Sequence, residues 1–381
     1  MKRAALTIIS IIIFISSTPI VSYADNEVYD MIQNVLDWQE SNVDLSAHIG
    51  ENYCDWLIFG ECRICGDEYN MYKDAVNDYY QNNKDSLSLP DVERLAIVYA
   101  ACGGSVDENG MLDDVMGALQ KSELHTKIVN QLIFALLTAD SGRYDIDERD
   151  EIISEILSRQ IECGALYMVD KNVPETDLTA MAVTSLAPYI DEKPEVKAAV
   201  ERMIDYLSGT ITEDGTAKNW GKPSCETTAQ VITALCTVGI DPVNDTRFVK
   251  NGHSLIDGLK TYVQPDGSFA HNDESLGGDA YATAQALYSL VAYVRYKNGC
   301  QSLYDMRSES KNIAAHEIIT AQKENLAALT ADNAVESTKA SGRNRVKSSV
   351  EVVVLAALAV GAGGTIWWNH KVLKKHAESD S

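Results

Sequence analysis

The chain has 381 residues, with 56 Asp and Glu against 32 Lys and Arg, a formal charge of −24 at neutral pH. Such a surface repels phosphate backbones and anionic lipid, which excludes nucleic acid as a partner and favours cationic ligands or plain solubility outside the cell. Both ends are basic, so the acidic excess falls wholly between residues 25 and 340.

The chain opens with Lys2-Arg3, an apolar run from Leu6 to Ile15, and Ser22-Tyr23-Ala24. This is the layout of a secretory signal peptide over residues 1–24, cut before Asp25. Residues 25–88 carry two amphipathic stretches. Val28, Met31, Ile32, Val35 and Leu36 mark the first, and Tyr69, Tyr72, Val76, Tyr79 and Tyr80 the second. Both have the three-to-four-residue spacing of a one-faced helix and could complete a ring begun further on.

From residue 89 to 306 the chain repeats. Thr179-Ala-Met-Ala-Val-Thr-Ser-Leu186, Thr228-Ala-Gln-Val-Ile-Thr-Ala-Leu235 and Thr283-Ala-Gln-Ala-Leu-Tyr-Ser-Leu290 are one phrase, and Ile128 to Leu136 is a weaker copy. The closing leucines stand 50, 49 and 55 residues apart, a period that means stacked supersecondary units. Each period holds two kinds of helix. Leu178, Ala180, Met181, Ala182, Val183 and Leu186 leave no polar face, so that helix is buried all round. Val196, Ala199, Val200, Met203, Ile204 and Leu207, behind Pro194, line one face of a surface helix. Turns at Gly164, Gly215 and Gly267 end the surface helices. The alternation predicts an inner ring of helices wrapped by an outer ring, with almost no strand.

Beyond Met306 the repeat stops. Residues 307–350 read as a polar stalk. Residues 351–369 read as a single transmembrane helix, because Val352 to Trp368 lacks any charge, ends in Trp367-Trp368 and precedes Lys371, Lys374 and Lys375. Residues 370–381 would be a cytoplasmic tail. The protein is thus expected at the cell membrane, single-pass, with its N-terminal part outside.

Eight cysteines, an even number, allow disulfides in an exported chain. Local spacing favours Cys54 with Cys62 or Cys65. The same three as a zinc site lack a nearby fourth ligand. Cys225 with Cys236 is excluded, since eleven residues of one helix span about 16 Å.

The repeated phrase, the Gln264-Pro-Asp-Gly-Ser-Phe269 turn and the close from Tyr293-Val-Arg-Tyr-Lys-Asn-Gly299 through Ser302-Leu-Tyr-Asp-Met306 resemble the prenyltransferase/squalene-cyclase-repeat family. The likeness is greatest to bacterial cell-surface toroid proteins distantly related to cobalamin carriers. It implies an all-α fold, the α/α toroid. The family's catalytic signatures are not assembled. Where protein prenyltransferases place zinc ligands, this chain has Cys225-Glu226 and Asp279-Ala-Tyr281, with no His. Asp145-Ile-Asp-Glu148 is the nearest string to the cyclases' Asp-x-Asp-Asp, and it lies in a polar turn. Cys225-Glu-Thr-Thr228 lacks the Gln of a thioester motif. No metal and no cofactor is expected.

What remains is one rim, where outer helices hand over to inner ones. Asp177, Glu226 and Asp279 should meet there, with Trp220 and Phe269 as aromatic platforms and Gln230 and Gln285 one turn deeper. Acids at helix N-termini also serve as ordinary caps, and the two glutamines could bond one another instead of a ligand. On these grounds the chain reads as a membrane-anchored extracellular toroid that binds a small molecule or protein at the cell surface without catalysis. The alternatives are a toroid enzyme, terpene-cyclase-like, prenyltransferase-like or carbohydrate-active, using rim carboxylates, and a structural adhesion or spacer module. The topology is testable. Protease shaving of intact cells should release residues 25–340, and complete protection would reverse the orientation.

Overall fold

The computed structural model describes residues 23–65 and 71–307; of the expected signal peptide over 1–24 all but the last two residues, and the expected stalk beyond 307, membrane span and tail, lie outside them. Among the described residues, no helix is long and apolar enough to cross a membrane.

Twelve α-helices follow in chain order among these residues: α1 Tyr23–Asn42, α2 Asn52–Cys65, α3 Met71–Asn83, α4 Leu89–Ala101, α5 Met111–Gln120, α6 Val129–Ser141, α7 Arg149–Ser158, α8 Thr176–Leu186, α9 Pro194–Ser208, α10 Cys225–Thr237, α11 Leu255–Lys260 and α12 Ala280–Lys297. The even-numbered helices pack side by side in sequence, and α12 returns against α2, closing an inner ring of six. The odd-numbered ones pack against it, α3 and α5 on α4, α7 on α6, α9 on α8, α11 on α10 and α1 on α12. Sequence explains the division. In α12 every residue from Ala282 to Arg295 is buried, so it must be surrounded. In α9 only Val196, Ala199, Val200, Met203, Ile204 and Leu207 are buried, a single stripe. Strand is confined to a hairpin of β1 Lys218–Asn219 and β2 Lys222–Pro223, paired antiparallel.

The threonine that opens each repeated phrase has a specific duty. Thr179, Thr228 and Thr283 each accept a hydrogen bond at Oγ1 from a buried loop amide, of Leu166, Ala217 and Phe269, at 2.9, 3.0 and 2.9 Å. Each hydroxyl in turn donates to the carbonyl four residues earlier, of Glu175, Ser224 and Asp279, at 2.6, 2.8 and 2.6 Å. One side chain therefore satisfies the incoming loop and fixes the first turn of the inner helix.

The turn glycines lock the outer ring. Gly164, Gly215 and Gly267 have φ of +95°, +83° and +91°, and a Cβ would stand 2.3 Å from the Arg202 carbonyl oxygen, 2.2 Å from that of Ser254 and 2.6 Å from that of Asn34. The first two contacts are with α9 and the cap of α11. The third is with α1, so the last repeat docks on the first outer helix and the ring has no open seam.

The middle of the ring is filled low down. Trp56 and Phe59 of α2 reach across to Phe134 of α6 and Tyr288 of α12, with Trp56 centroids 5.9 Å and 5.8 Å from the latter two. Tyr304 stacks 5.0 Å from Phe59. Arg63 holds the segment that carries Tyr304, donating to the carbonyls of Leu303, Ser302 and Asp305 at 2.7, 3.1 and 2.9 Å. These aromatic side chains thus fill the middle of the ring, and a pocket lined by Leu137, Asp140, Tyr189, Thr237 and Tyr304 lies at the end where the inner helices finish.

One expectation is corrected here. Cys54, Cys62 and Cys65 all lie on α2. Eight and eleven residues of helix place partners about 12 and 16 Å from Cys54, too far for a disulfide. The Cys54 thiol donates to the Leu45 carbonyl instead, at 3.3 Å.

Thr228→Val keeps the shape of the threonine but strands the Ala217 amide. It should cost about 1–3 kcal/mol in urea denaturation, while Thr228→Ser should recover most of the loss. Equal stability of the valine variant and the parent would show the hydroxyl to be inert.

Candidate active site

Counting back two residues from each brace threonine gives Asp177, Glu226 and Tyr281, equivalent positions in the first turns of α8, α10 and α12. The repeat therefore carries all three to the end of the ring opposite the aromatic plug. At the Tyr281 hydroxyl the charges of Glu226, Asp177 and Arg94 are all felt, Gln285 offers a hydrogen bond, and burial raises the phenol's pKa.

Asp177 is half-buried. Asn219 Nδ2 lies 3.4 Å from its Oδ2, and its Oδ1 has no well-formed hydrogen bond. Burial pushes the carboxyl above the usual range, opposed in part by the Thr227 hydroxyl, Asn219 and the field of His271. Glu226 is raised by burial too, but His271 pulls the other way. The imidazole Nδ1 stands 2.8 and 2.9 Å from its two oxygens. His271 is placed by its own backbone, whose carbonyl accepts from the Cys225 amide at 2.9 Å and straps the loop over the start of α10.

The hairpin forms one wall of the mouth. Asn219 accepts the Thr176 amide at 3.0 Å, and its own amide spans Asp177 and Glu175, 3.5 Å from the latter. Glu175 also takes a hydrogen bond from Trp220, and burial raises its pKa. Trp220 and Gly221 have φ of +50° and +79°, the left-handed pair of a two-residue hairpin turn, and the indole is 70% exposed at its tip. On another wall Asp55 is wholly buried and bound to Arg94 Nε at 2.8 Å. That guanidinium also serves Asp91 and the Gly50 carbonyl, both at 3.0 Å.

Of the residues singled out from the sequence, Asp177, Glu226 and Trp220 gather at this mouth. Four have other duties. Phe269 is fully buried and offers no platform. The Asp279 carboxylate is spent as the N-cap of α12, accepting from Ala282 N at 2.8 Å. Gln230 donates to Gln285 at 2.9 Å and to the Tyr288 hydroxyl, so the glutamines bond each other beneath the mouth. Sequence reasoning missed Tyr281, His271, Glu175 and Asn219. Aligning the repeats on the threonine would have found Tyr281, because it, and not Asp279, is the counterpart of Asp177 and Glu226. His271, in a loop, and Asn219, in β1, lie outside the phrase and carry no such signal.

Chemically, the mouth holds two carboxyls with unlike surroundings. Asp177 lacks a cationic partner in contact and favours its proton, whereas Glu226 has an imidazole to support its charge. Burial raises both acids, and only Glu226 has an imidazole in contact; such unlike surroundings suit one acid to donate a proton and the other to accept one.

No known sequence family and no curated protein matches the chain. Among solved structures, the chain is similar to an unsaturated glucuronyl hydrolase responsible for glycosaminoglycan degradation from Bacillus sp. GL1, at 11% identity and a TM-score of 0.51, over 75% of this chain and 99% of that one. It is similar to the unsaturated glucuronyl hydrolase of Streptococcus agalactiae at 11% identity and TM-score 0.50, over 74% and 94%. A protein from Actinoplanes matches at 13% identity and TM-score 0.51, over 70% and 99%. Likeness at this identity establishes the fold, the α/α toroid, and goes no further toward prenyltransferases or cobalamin carriers. It does correct the reading of the ring as a non-catalytic binder, and with it the leaning away from an enzyme. The rings that share the fold here include two named as unsaturated glucuronyl hydrolases, the finding that stands against the non-catalytic reading.

The raised carboxyl of Asp177 has a consequence for stability. The folded chain holds this proton more tightly than the unfolded chain, so the contribution to stability is complete below the ordinary carboxylate pKa. It is lost as pH rises through the raised value. Asp177→Asn removes that loss. Its Tm should equal or exceed the parent's near pH 7 and surrender the margin near pH 3 in thermal scans. A variant less stable than the parent at neutral pH would mark Asp177 as a structural partner.

Proposed function

We propose that the protein is a carbohydrate-active enzyme of the toroid class that cleaves a glycosidic bond at the mouth of the ring. Asp177 gives its proton to the leaving oxygen. Glu226, in contact with the His271 imidazole, acts as the opposing base or nucleophile. Trp220 at the hairpin tip and Tyr281 present aromatic and hydroxyl faces to the sugar. The observation that carries this reading is the pair of half-buried, unequally supported carboxyls at the end of the ring where the inner helices begin. The toroid neighbours named as glucuronyl hydrolases lend it support. A signal peptide and a single span, expected from the sequence, would set the mouth outside the membrane, where polysaccharide is met.

The charges favour a neutral or basic sugar over a uronic acid. A substrate carboxylate would lie against Asp177 and Glu226, while His271 is engaged with Glu226 and Arg94 with Asp55, Asp91 and the Gly50 carbonyl. The substrate so proposed differs in charge from the glucuronyl units in the neighbours' names.

The test is release of reducing ends from neutral, amino-sugar and uronic-acid oligosaccharides by the full chain. Turnover should be greatest on the first two, and Asp177→Asn should lower kcat by about 100-fold or more with the fold intact. The rate should decline as pH rises through the raised pKa of Asp177, because the donor is then lost. Unchanged turnover in the variant would refute the assignment. Faster cleavage of uronides would refute only the charge preference.

A further inference from the structure

Cys62, in the last turn of α2, and Cys102, at the C-cap of α4, bring their sulfurs to 3.2 Å, and each side chain is only 2% exposed. The two helices are neighbours in the inner ring, and the contact spans 40 residues of sequence. A disulfide needs sulfurs about 2.05 Å apart, a change of roughly 1 Å that small χ rotations on the two side chains supply.

We propose that Cys62 and Cys102 form a disulfide that staples α2 to α4 at the end of the ring where the inner helices finish. The position gives it a task. Arg63, the next residue, holds the carbonyls of Ser302, Leu303 and Asp305, so a bond at Cys62 also anchors the segment that plugs the centre. Tying residues 62 and 102 removes freedom from the unfolded chain, and the gain grows with the length of the loop closed. The oxidant is a low-molecular-weight disulfide. The thiolate of one cysteine attacks a sulfur of that disulfide, forms a mixed disulfide and releases one small thiol. The second cysteine then displaces the other small thiol as the protein bond forms, so two protein thiols and one small disulfide become one protein disulfide and two small thiols. Because both sulfurs are buried in the finished ring, the exchange takes place during folding, while they can still be reached.

The full chain is refolded in a glutathione redox buffer, alkylated in denaturant without reductant, digested and mapped by mass spectrometry. The expected product is a peptide pair joined through Cys62 and Cys102, with Cys54, Cys225 and Cys236 alkylated. Reduction of the refolded protein should lower Tm by about 5–10 °C, and the same reduction should leave Cys102→Ala unmoved. Alkyl groups on both Cys62 and Cys102, or Cys62 joined to Cys65 or any other cysteine, would overturn the proposal. So would an equal fall in Tm on reducing the alanine variant. The map uses the unmutated chain and decides the matter even where the variant fails to fold.

Discussion

A threonine hydroxyl one turn into each inner helix governs the geometry of this ring. An outer helix ends, the chain turns back, and its buried amide must find an acceptor where water is excluded. Thr179, Thr228 and Thr283 provide it while bonding to their own helix four residues earlier. Loop and helix are therefore fixed to each other in the same pose three times. The glycine turns then dock each repeat on the next outer helix, and Gly267 docks on α1. Ring closure is the sum of these repeated poses, with the seam treated like any other joint.

The brace also decides what faces the mouth. With the threonine turned to the loop, the residue two positions earlier emerges at the rim, which is why Asp177, Glu226 and Tyr281 share one end of the ring. Burial there raises both carboxyls, a cost that the surrounding ring absorbs. Proteins tolerate such groups chiefly where they are used. The contrast with Asp279 is instructive. Two residues from Tyr281 in sequence, it meets backbone amide rather than open space and serves only as a cap.

The far end of the ring follows a different logic. Trp56, Phe59, Phe134, Tyr288 and Tyr304 make an aromatic floor, and Arg63 ties the final described segment beneath it. The two raised carboxyls lie at the other end, where the inner helices begin and their dipoles favour negative charge.

The period of the leucines, the all-round apolarity of the inner helices and the single stripe of the outer ones were legible in the sequence, because helix periodicity and burial are local patterns. They determined the all-α class and the two helix types. Asp177, Glu226 and Trp220 were legible as rim residues for the same reason, through their place in the repeat. The rest depended on contacts between segments far apart in the chain. That Gln230 meets Gln285, that His271 covers Glu226, that Phe269 turns inward, and that Cys62 meets Cys102 while Cys54 stays on the same rigid helix are facts of packing. Spacing along a chain says nothing of distance across a ring, and only the tertiary structure, by closing that ring, decided which of the plausible partners could touch.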